Sequence, residues 1–475
     1  MAGLPVRRLL LPVACLLLGW VATCAEMPQQ SGASLGRRFG GGRTGGGSLA
    51  APSGLVLHGH RYPVRLRYTA CTGLVNQQYS HIAAFTLAAA LGVHEVMLPP
   101  AAVRDSFGHV FSIHQAENQM QWFPARPSCL LDVERLQRTW AGLGLTVTEP
   151  ATLLPFPDLM FPAGAFQLTP LPGVDPRAVV RVDGIYMSGL ELPQLATAVR
   201  EAAAAHVARM AAAFPGLQLE ELLLDLPCTF FSLNTTNILP VVSQVAATLH
   251  FNPSLEYLAD RVVSYITRDG RRNFNGVHLR VEKDAAEWFL ILGGLDGAQV
   301  VWEMYRDAML DAGFEPDTPL FVATGLLSYG AHYDFTSGVS LLVSSRLCSE
   351  VLYKELYLPP FELQRLNSEQ LALLDFLILA RAHKFVGFGP STFSTYLREH
   401  RTLHGRPPSL SILISAPRIG TDEAFARSAH ITAVPRQDSG AASDAAEQQQ
   451  DSSHASDAGG QQDRQLGGAA ATAAS

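Results

Sequence analysis

Charge is scarce in this 475-residue chain, at 16% of residues. One short stretch nevertheless gathers His278, Arg280, Glu282, Lys283 and Asp284 behind the apolar letters of Gly276-Val277-His278-Leu279-Arg280-Val281. An apolar strand that runs into such a cluster carries its charges at the carboxyl end, where open α/β sheets bind their ligands. Arg280 in that position can grip a pyrophosphate through two parallel N–H bonds and stabilise the negative charge of a leaving phosphate. Taken alone, the letters fit a strand end facing solvent equally well.

Two further stretches carry types suited to anions and sugars. Phe385-Val386-Gly387-Phe388-Gly389-Pro390-Ser391-Thr392-Phe393-Ser394 reads as a strand, a glycine turn and a hydroxyl-bearing helix start. Amides and hydroxyls at a helix start make an anion site, and glycine lets a phosphate approach the backbone. The plainer meaning is an N-cap after a tight turn. Cys71-Thr72-Gly73-Leu74-Val75-Asn76-Gln77-Gln78 is a small-residue turn leading into a helix whose amides can orient a sugar or phosphate, although turn chemistry alone explains such letters more often. Other chemistries lack their signatures: no Gly-x-Ser-x-Gly elbow, no His-Glu-x-x-His, no P-loop and no Asp-x-Asp occurs.

The elements that must position these groups alternate. Strand-like runs are expected at 62–68, 94–98, 145–147, 276–281, 320–323 and 384–387. Helices are expected at 77–91, 129–143, 192–213, 253–266, 299–312, 368–382 and 392–400. The fold class that follows is α/β, two Rossmann-like halves facing a cleft, with the boundary near Leu249–Pro253. The first half spans 61–252 and the second 253–436.

The ends read differently. Arg7 and Arg8, an apolar run from Leu9 to about Ala22 and small residues up to Ala25 predict a signal peptide over 1–25 or a retained single-pass anchor. Residues 26–60 read as a Gly/Ser-rich stem and 437–475 as a disordered tail. A leader implies a secretory lumen, ER or Golgi, where Cys71, Cys129, Cys228 and Cys348 can pair in three ways or stay free. Asn234-Thr235-Thr236 is a glycosylation sequon. A net charge of −7 without basic blocks argues against a nucleic-acid partner.

In their order, the motifs resemble those of the O-fucosyltransferase family, especially its plant and green-algal branch. Cys71-Thr72-Gly73 with Asn76-Gln77, then Leu98-Pro99-Pro100, then Val277 to Asp284, then Pro319 to Gly325, then Leu371 to Ser394 fall as that family's blocks do, from about Tyr62 to Arg401. The departures are Leu74-Val75 in place of a glycine, Tyr79 in place of an arginine, Thr324-Gly325-Leu326 without an acidic residue, and a Ser391-Thr392-Phe393-Ser394 turn closer to the animal-type branch.

The resemblance implies a GT-B glycosyltransferase that needs no cofactor and no metal. It would move fucose, with inversion, from GDP-fucose to a hydroxyl of a protein or glycan. Arg280 would be catalytic, holding the β-phosphate. His278 and Asp375 would contact the nucleoside, Ser391, Thr392 and Phe393 the phosphates and base, and Asn76 and Gln77 the far side of the cleft. A related rhamnosyltransferase, or a pseudoenzyme that binds a sugar nucleotide without turnover, is the alternative.

Overall fold

Leucine-rich and β-branched runs, too short for helices and apolar on both sides, form the strands of two parallel sheets. The computed structural model describes residues 53–70, 73–104, 122–150, 153, 173–234, 240–281, 298–325, 338–340 and 342–415. It opens on an antiparallel hairpin of β1 (Leu55–Leu57) and β2 (His60–Tyr62). There follow β3 (Val64–Thr69), α1 (Leu74–Leu91), β4 (Glu95–Met97), the antiparallel pair β5 (Ala101–Arg104) and β6 (Trp122–Ala125), α2 (Val133–Ala141), β7 (Thr146–Thr148), β8 (Val179–Arg181), α3 (Leu192–Ala213) and β9 (Leu222–Cys228). The five parallel strands of the first sheet lie in the order β7-β4-β3-β9-β8.

The second half runs through α4 (Pro240–Ala246), α5 (Pro253–Thr267), β10 (Asn275–His278), α6 (Ala298–Asp311), β11 (Leu320–Ala323), β12 (Val351–Leu352), α7 (Ser368–Arg381), β13 (Phe385–Phe388), α8 (Thr392–Leu403) and β14 (Ser411–Ile414). Its sheet is also parallel, ordered β12-β11-β10-β13-β14. The chain builds outward from β10 to β11 and β12, then returns to add β13 and β14 on the other side. The order therefore reverses between β10 and β13, and a crevice opens at the strand ends there.

Alternate residues of this sheet serve two cores. Phe321, Ala323 and Phe385 join a large cluster that includes Val64, Leu66, Leu222 and Leu224 of the first sheet, Leu255 and Val262 of α5, and Leu373, Leu377 and Ile378 of α7. Val277, Val322, Val386 and Phe388 pack on the opposite face with Tyr305, Met309 and Ile414. The two-residue period of a strand is what divides them.

The two-sheet α/β architecture is the expected one, and α3 and β11 have the expected bounds. Three expectations need correction. The stem was expected to reach residue 60, but Leu55 and Leu57 are buried in the first core and make the β1–β2 hairpin. The strand expected to reach Val281 ends at His278. Finally β9, a central strand, escaped the sequence reading, because Pro227 and Asp225 interrupt its apolar run.

The structure accommodates both of these residues. Between Arg67 and Thr69 of β3, the partner strand advances from Asp225 to Cys228, so a bulge absorbs the extra residue beside Pro227, which has no N–H to offer the ladder. Asp225 accepts two bonds from the Arg67 guanidinium, at 2.9 and 2.8 Å.

Cys228 is disulfide-bonded, whereas Cys129 and Cys348 are free thiols. The sequon residue Asn234 is half-buried and its amide donates to Glu191 Oε1 at 2.9 Å. The expected leader, the stem before residue 53, the tail, Cys71, and the charges at Glu282, Lys283 and Asp284 lie outside the described residues. Among the described residues, no helix is long and apolar enough to cross a membrane.

Candidate functional site

At the reversal point the end of β10 presents His278, which is buried. Gly276, two residues earlier, lets α7 pack directly on this strand: a Cβ there would stand 2.6 Å from Leu379 Cδ2 and 3.0 Å from Ala382 Cβ. His278 Nδ1 lies 2.7 Å from Ser394 Oγ, and the same Oγ accepts from the Phe388 N–H at 3.0 Å. Burial, with the Arg280 charge adding to it, pushes the imidazole down to about 3, so it is neutral at any physiological pH. We assign the Ser394 hydroxyl proton to Nδ1, which leaves Nε2 as the N–H donor. The Phe393 ring lies against the imidazole, with 4.3 Å between centroids.

The backbone after His278 leaves the sheet because a side chain takes over its pairing. Tyr305 of α6 is fully buried, donates its hydroxyl to the His278 carbonyl at 2.9 Å and accepts from the Arg280 N–H at 3.0 Å. Leu279 still bonds the Ala323 carbonyl at 2.9 Å, so β10 ends where Tyr305 turns the chain. Arg280 is thereby fixed by its own backbone at the mouth of the crevice, half-buried.

This clamp predicts a local effect. Tyr305→Phe keeps the ring and removes both bonds, so amide exchange at Arg280 is expected to speed up about tenfold while the melting temperature falls by only a few degrees. Hydrogen exchange resolved at that amide measures it, and unchanged protection would mean that the loop is held by other means.

On the other side of the crevice, β13 passes through Gly387 and Gly389 into α8. A Cβ on Gly387 would come within 2.6 Å of Ser394 Oγ, the atom that orients His278, and one on Gly389 within 2.9 Å of the Ile414 carbonyl. Ser391 is the N-cap of α8, but its hydroxyl makes no capping bond. The first-turn amides of this helix favour an anion.

The first half reaches the same helix start. Thr392 Oγ1 donates to Asn76 Oδ1 at 2.9 Å, which joins the opening turns of α1 and α8. One turn further along, the Tyr79 hydroxyl donates to Glu399 Oε2 at 3.1 Å, and burial pushes that carboxyl up to about 7. Gln77 has another task. It is fully buried, donates from Nε2 to the Ala102 carbonyl at 2.7 Å and accepts from the Ala102 N–H at 3.0 Å. Both ends of its amide brace β5 against α1, so Gln77 shapes the wall and does not offer that amide to a ligand.

Asp375, on α7, is buried in an ion pair with Lys354, Nζ to Oδ2 at 2.7 Å. Its neighbour Phe376 packs edge-on against Phe393, with centroids 5.6 Å apart. The fold thus gathers His278, Arg280, Ser391, Thr392, Phe393 and Asn76 around one crevice, with Asp375 behind it. Sequence reasoning missed Ser394 as the partner of His278, and also Tyr305 and Lys354. The last two lie on other elements and carry no motif, so no local signal could have found them. Among the described residues, no group of three or more His, Cys, Asp or Glu side chains is placed to hold a metal ion.

No known family profile matches the sequence and no curated protein matches it. Solved structures do. The crystal structure of POFUT1 in complex with GDP is 15% identical over 77% of this chain and 99% of that one, with a TM-score of 0.42. POFUT1 in complex with GDP-fucose is 14% identical over 74% and 98%, with a TM-score of 0.41. Fucosyltransferase NodZ from Bradyrhizobium is 13% identical over 71% and 93%, with a TM-score of 0.36. The chain is thus similar, at low identity, to solved fucosyltransferase structures.

Proposed function

We infer that the protein is a glycosyltransferase that binds a sugar nucleotide at the carboxyl edge of its second sheet, with GDP-fucose as donor and a hydroxyl of a protein or glycan as acceptor. One observation carries the reading: an arginine, an anion-favouring helix start and a neutral histidine packed against an aromatic ring converge where the strand order reverses, and the other half of the fold closes on them through Asn76. The resemblance of the sequence motifs to O-fucosyltransferases supplies the sugar and the base.

In this reading the diphosphate lies between Arg280 and the start of α8. Arg280 stabilises the charge that builds on the β-phosphate as the C1–O bond of the sugar breaks. A guanidinium at that oxygen can replace the divalent cation that many such enzymes use. His278, held neutral by burial and oriented by Ser394, donates from Nε2 to the nucleoside. Attack by the acceptor hydroxyl on the face opposite the leaving phosphate inverts the anomeric carbon. The folded part works in the secretory lumen, to which the leader would direct it.

The test is binding and turnover on the purified full chain. GDP is expected to raise the melting temperature by several degrees at saturating concentration, and UDP to leave it unchanged. Release of fucose from GDP-fucose is expected to survive EDTA. Activity lost to chelator and restored by manganese would overturn the metal-free mechanism. Stabilisation by UDP rather than GDP would instead favour a relative using another sugar nucleotide, and nucleotide binding without any turnover a pseudoenzyme.

A further inference from the structure

The two halves meet along α1 and α8, and side chains form two rungs across that joint. The first is Thr392 on Asn76, at the anion-favouring helix start. The second is Tyr79, one turn along α1 from Asn76, whose hydroxyl donates to Glu399 Oε2 at 3.1 Å. Tyr79 is 1% exposed and its ring lies edge-on to Tyr396 of α8, with centroids 5.4 Å apart, so the phenol reaches Glu399 only while the two helices are in contact. The rungs differ in one respect: the second contains a carboxyl.

The surroundings of that carboxyl suit an acid better than its anion. Glu399, half-buried, borders a small cavity between α1, α4 and α8, walled by Ile82, Val242, Ala246 and Leu403, with Ser243 as the polar group that α4 contributes. The phenols of Tyr79 on α1 and Tyr396 on its own helix complete the lining. Arg398 is the cation that acts on it, and His400, the next residue, packs instead on Phe251 and Phe376. A carboxylate shut in such a place gives up its water for one phenol, which favours the neutral acid. Burial accordingly pushes this carboxyl from 4.5 up to about 7, against the opposing pulls of the Tyr79 bond and the Arg398 charge.

We propose that Glu399 is a positioning residue for the sugar-nucleotide site: as the neutral acid it holds α1 on α8 through Tyr79 and so keeps Asn76 at the start of α8, and as the anion it draws in water and loosens the joint. The inference rests on the sugar-nucleotide reading given above and adds to it a closure that depends on a single proton. In the open joint the carboxyl is hydrated and titrates near its ordinary 4.5, in the closed joint near 7. The closed state thus binds the proton more tightly, so closure is fully supported below the open-state value, loses support as the pH rises through 7, and levels off above that. Between pH 5.5 and 8 this linkage changes the closing equilibrium by at most about thirtyfold.

The experiment measures GDP affinity by calorimetry on the full chain, at both of these pH values, for wild type, Glu399→Gln and Tyr79→Phe. Glutamine imitates the neutral acid in shape and still accepts from Tyr79. Glu399→Gln is therefore expected to match wild type at the lower pH and to bind about tenfold more tightly than wild type at the higher one. Tyr79→Phe removes the rung itself and is expected to show the reverse: severalfold weaker than wild type at the lower pH, and equal to it at the higher, where the wild-type joint has already loosened. Taking ratios cancels the titration of GDP and that of Asp375, which burial also raises to about 7.

The two variants read one joint with opposite pH signatures, so either decides the matter if the other fails to fold. A merely structural role for Glu399 would shift melting temperatures with pH and leave both affinity ratios flat. Flat ratios would overturn this inference and leave the proposed function standing, whereas an absence of GDP binding by all three proteins would overturn both.

Discussion

Arg280→Ala is expected to lower turnover of the sugar-nucleotide donor by about a hundredfold or more with little change in melting temperature. The fold should tolerate the change because Arg280 lies past the end of β10 and is half-buried, and because the clamp that shapes the loop acts on its backbone N–H through Tyr305, not on its side chain. What is lost is a charge-assisted contact that strengthens as the diphosphate gains charge, so kcat should fall more than nucleotide affinity does. Arg280→Lys is expected to recover little, since an ammonium cannot span two phosphate oxygens. His278 provides an internal check. The Arg280 charge adds to burial in depressing its pKa, so the alanine variant should let the imidazole titrate somewhat higher, readable by NMR. Donor hydrolysis and GDP affinity should be measured on proteins of matched melting temperature. Near-normal turnover in Arg280→Ala would mean that the cluster is only a solvated strand end.

The largest effect on stability is expected from Arg401→Ala. Arg401, on α8, is 1% exposed, and its guanidinium is a hub of main-chain bonds. Nη1 donates to the carbonyls of Leu379, Ala380 and Ala382 at 3.0, 3.2 and 2.7 Å, Nη2 to those of His383 and Leu410 at 2.9 and 3.4 Å, and Nε to Ser411 Oγ at 2.9 Å. It thus closes the carboxyl end of α7, where carbonyl oxygens concentrate negative charge, and ties it to the turn that leads into β14. Burial, with a smaller push from Arg406, lowers its pKa to about 10, still far above neutrality, so it is charged under all working conditions. Removing it leaves buried carbonyls without their donor and opens a cavity, a loss of about 4 kcal/mol. That corresponds to a fall of roughly 5 °C in melting temperature for a chain of this size. Arg401→Lys should regain only part, because three donors on a point cannot serve carbonyls spread around a plane. Calorimetric unfolding of the three proteins decides it, and an unchanged transition for Arg401→Ala would show the hub to be redundant.

Sequence alone determined the things that depend on near neighbours. Periodicity marks α3 at Leu192–Ala213 because twenty-odd alanine-rich residues leave a helix no competitor, and it marks β11 at Leu320–Ala323 because four apolar residues between a proline and a glycine turn leave room only for a buried strand. The order of such elements dictates a parallel α/β fold, and the types at 276–284 and 385–394 announce a polar strand end and an anion-favouring helix start. Tertiary structure decided what depends on which strands become neighbours. Pairing β10 with β13 brings Ser394 to His278 and fixes its tautomer, and packing α6 on the sheet puts the Tyr305 hydroxyl between two backbone groups and ends the strand at His278 three residues early. Contact between the halves gives Thr392 to Asn76 but turns the equally promising Gln77 into a brace for Ala102. The strand β9, hidden by Pro227 and Asp225, becomes central once a bulge absorbs the proline and Arg67 neutralises the aspartate. The physical reason is common to all of these: a side chain's chemistry is written in its own residue, but its protonation, its partner and its freedom to meet a ligand are set by groups that the chain brings back from tens or hundreds of residues away.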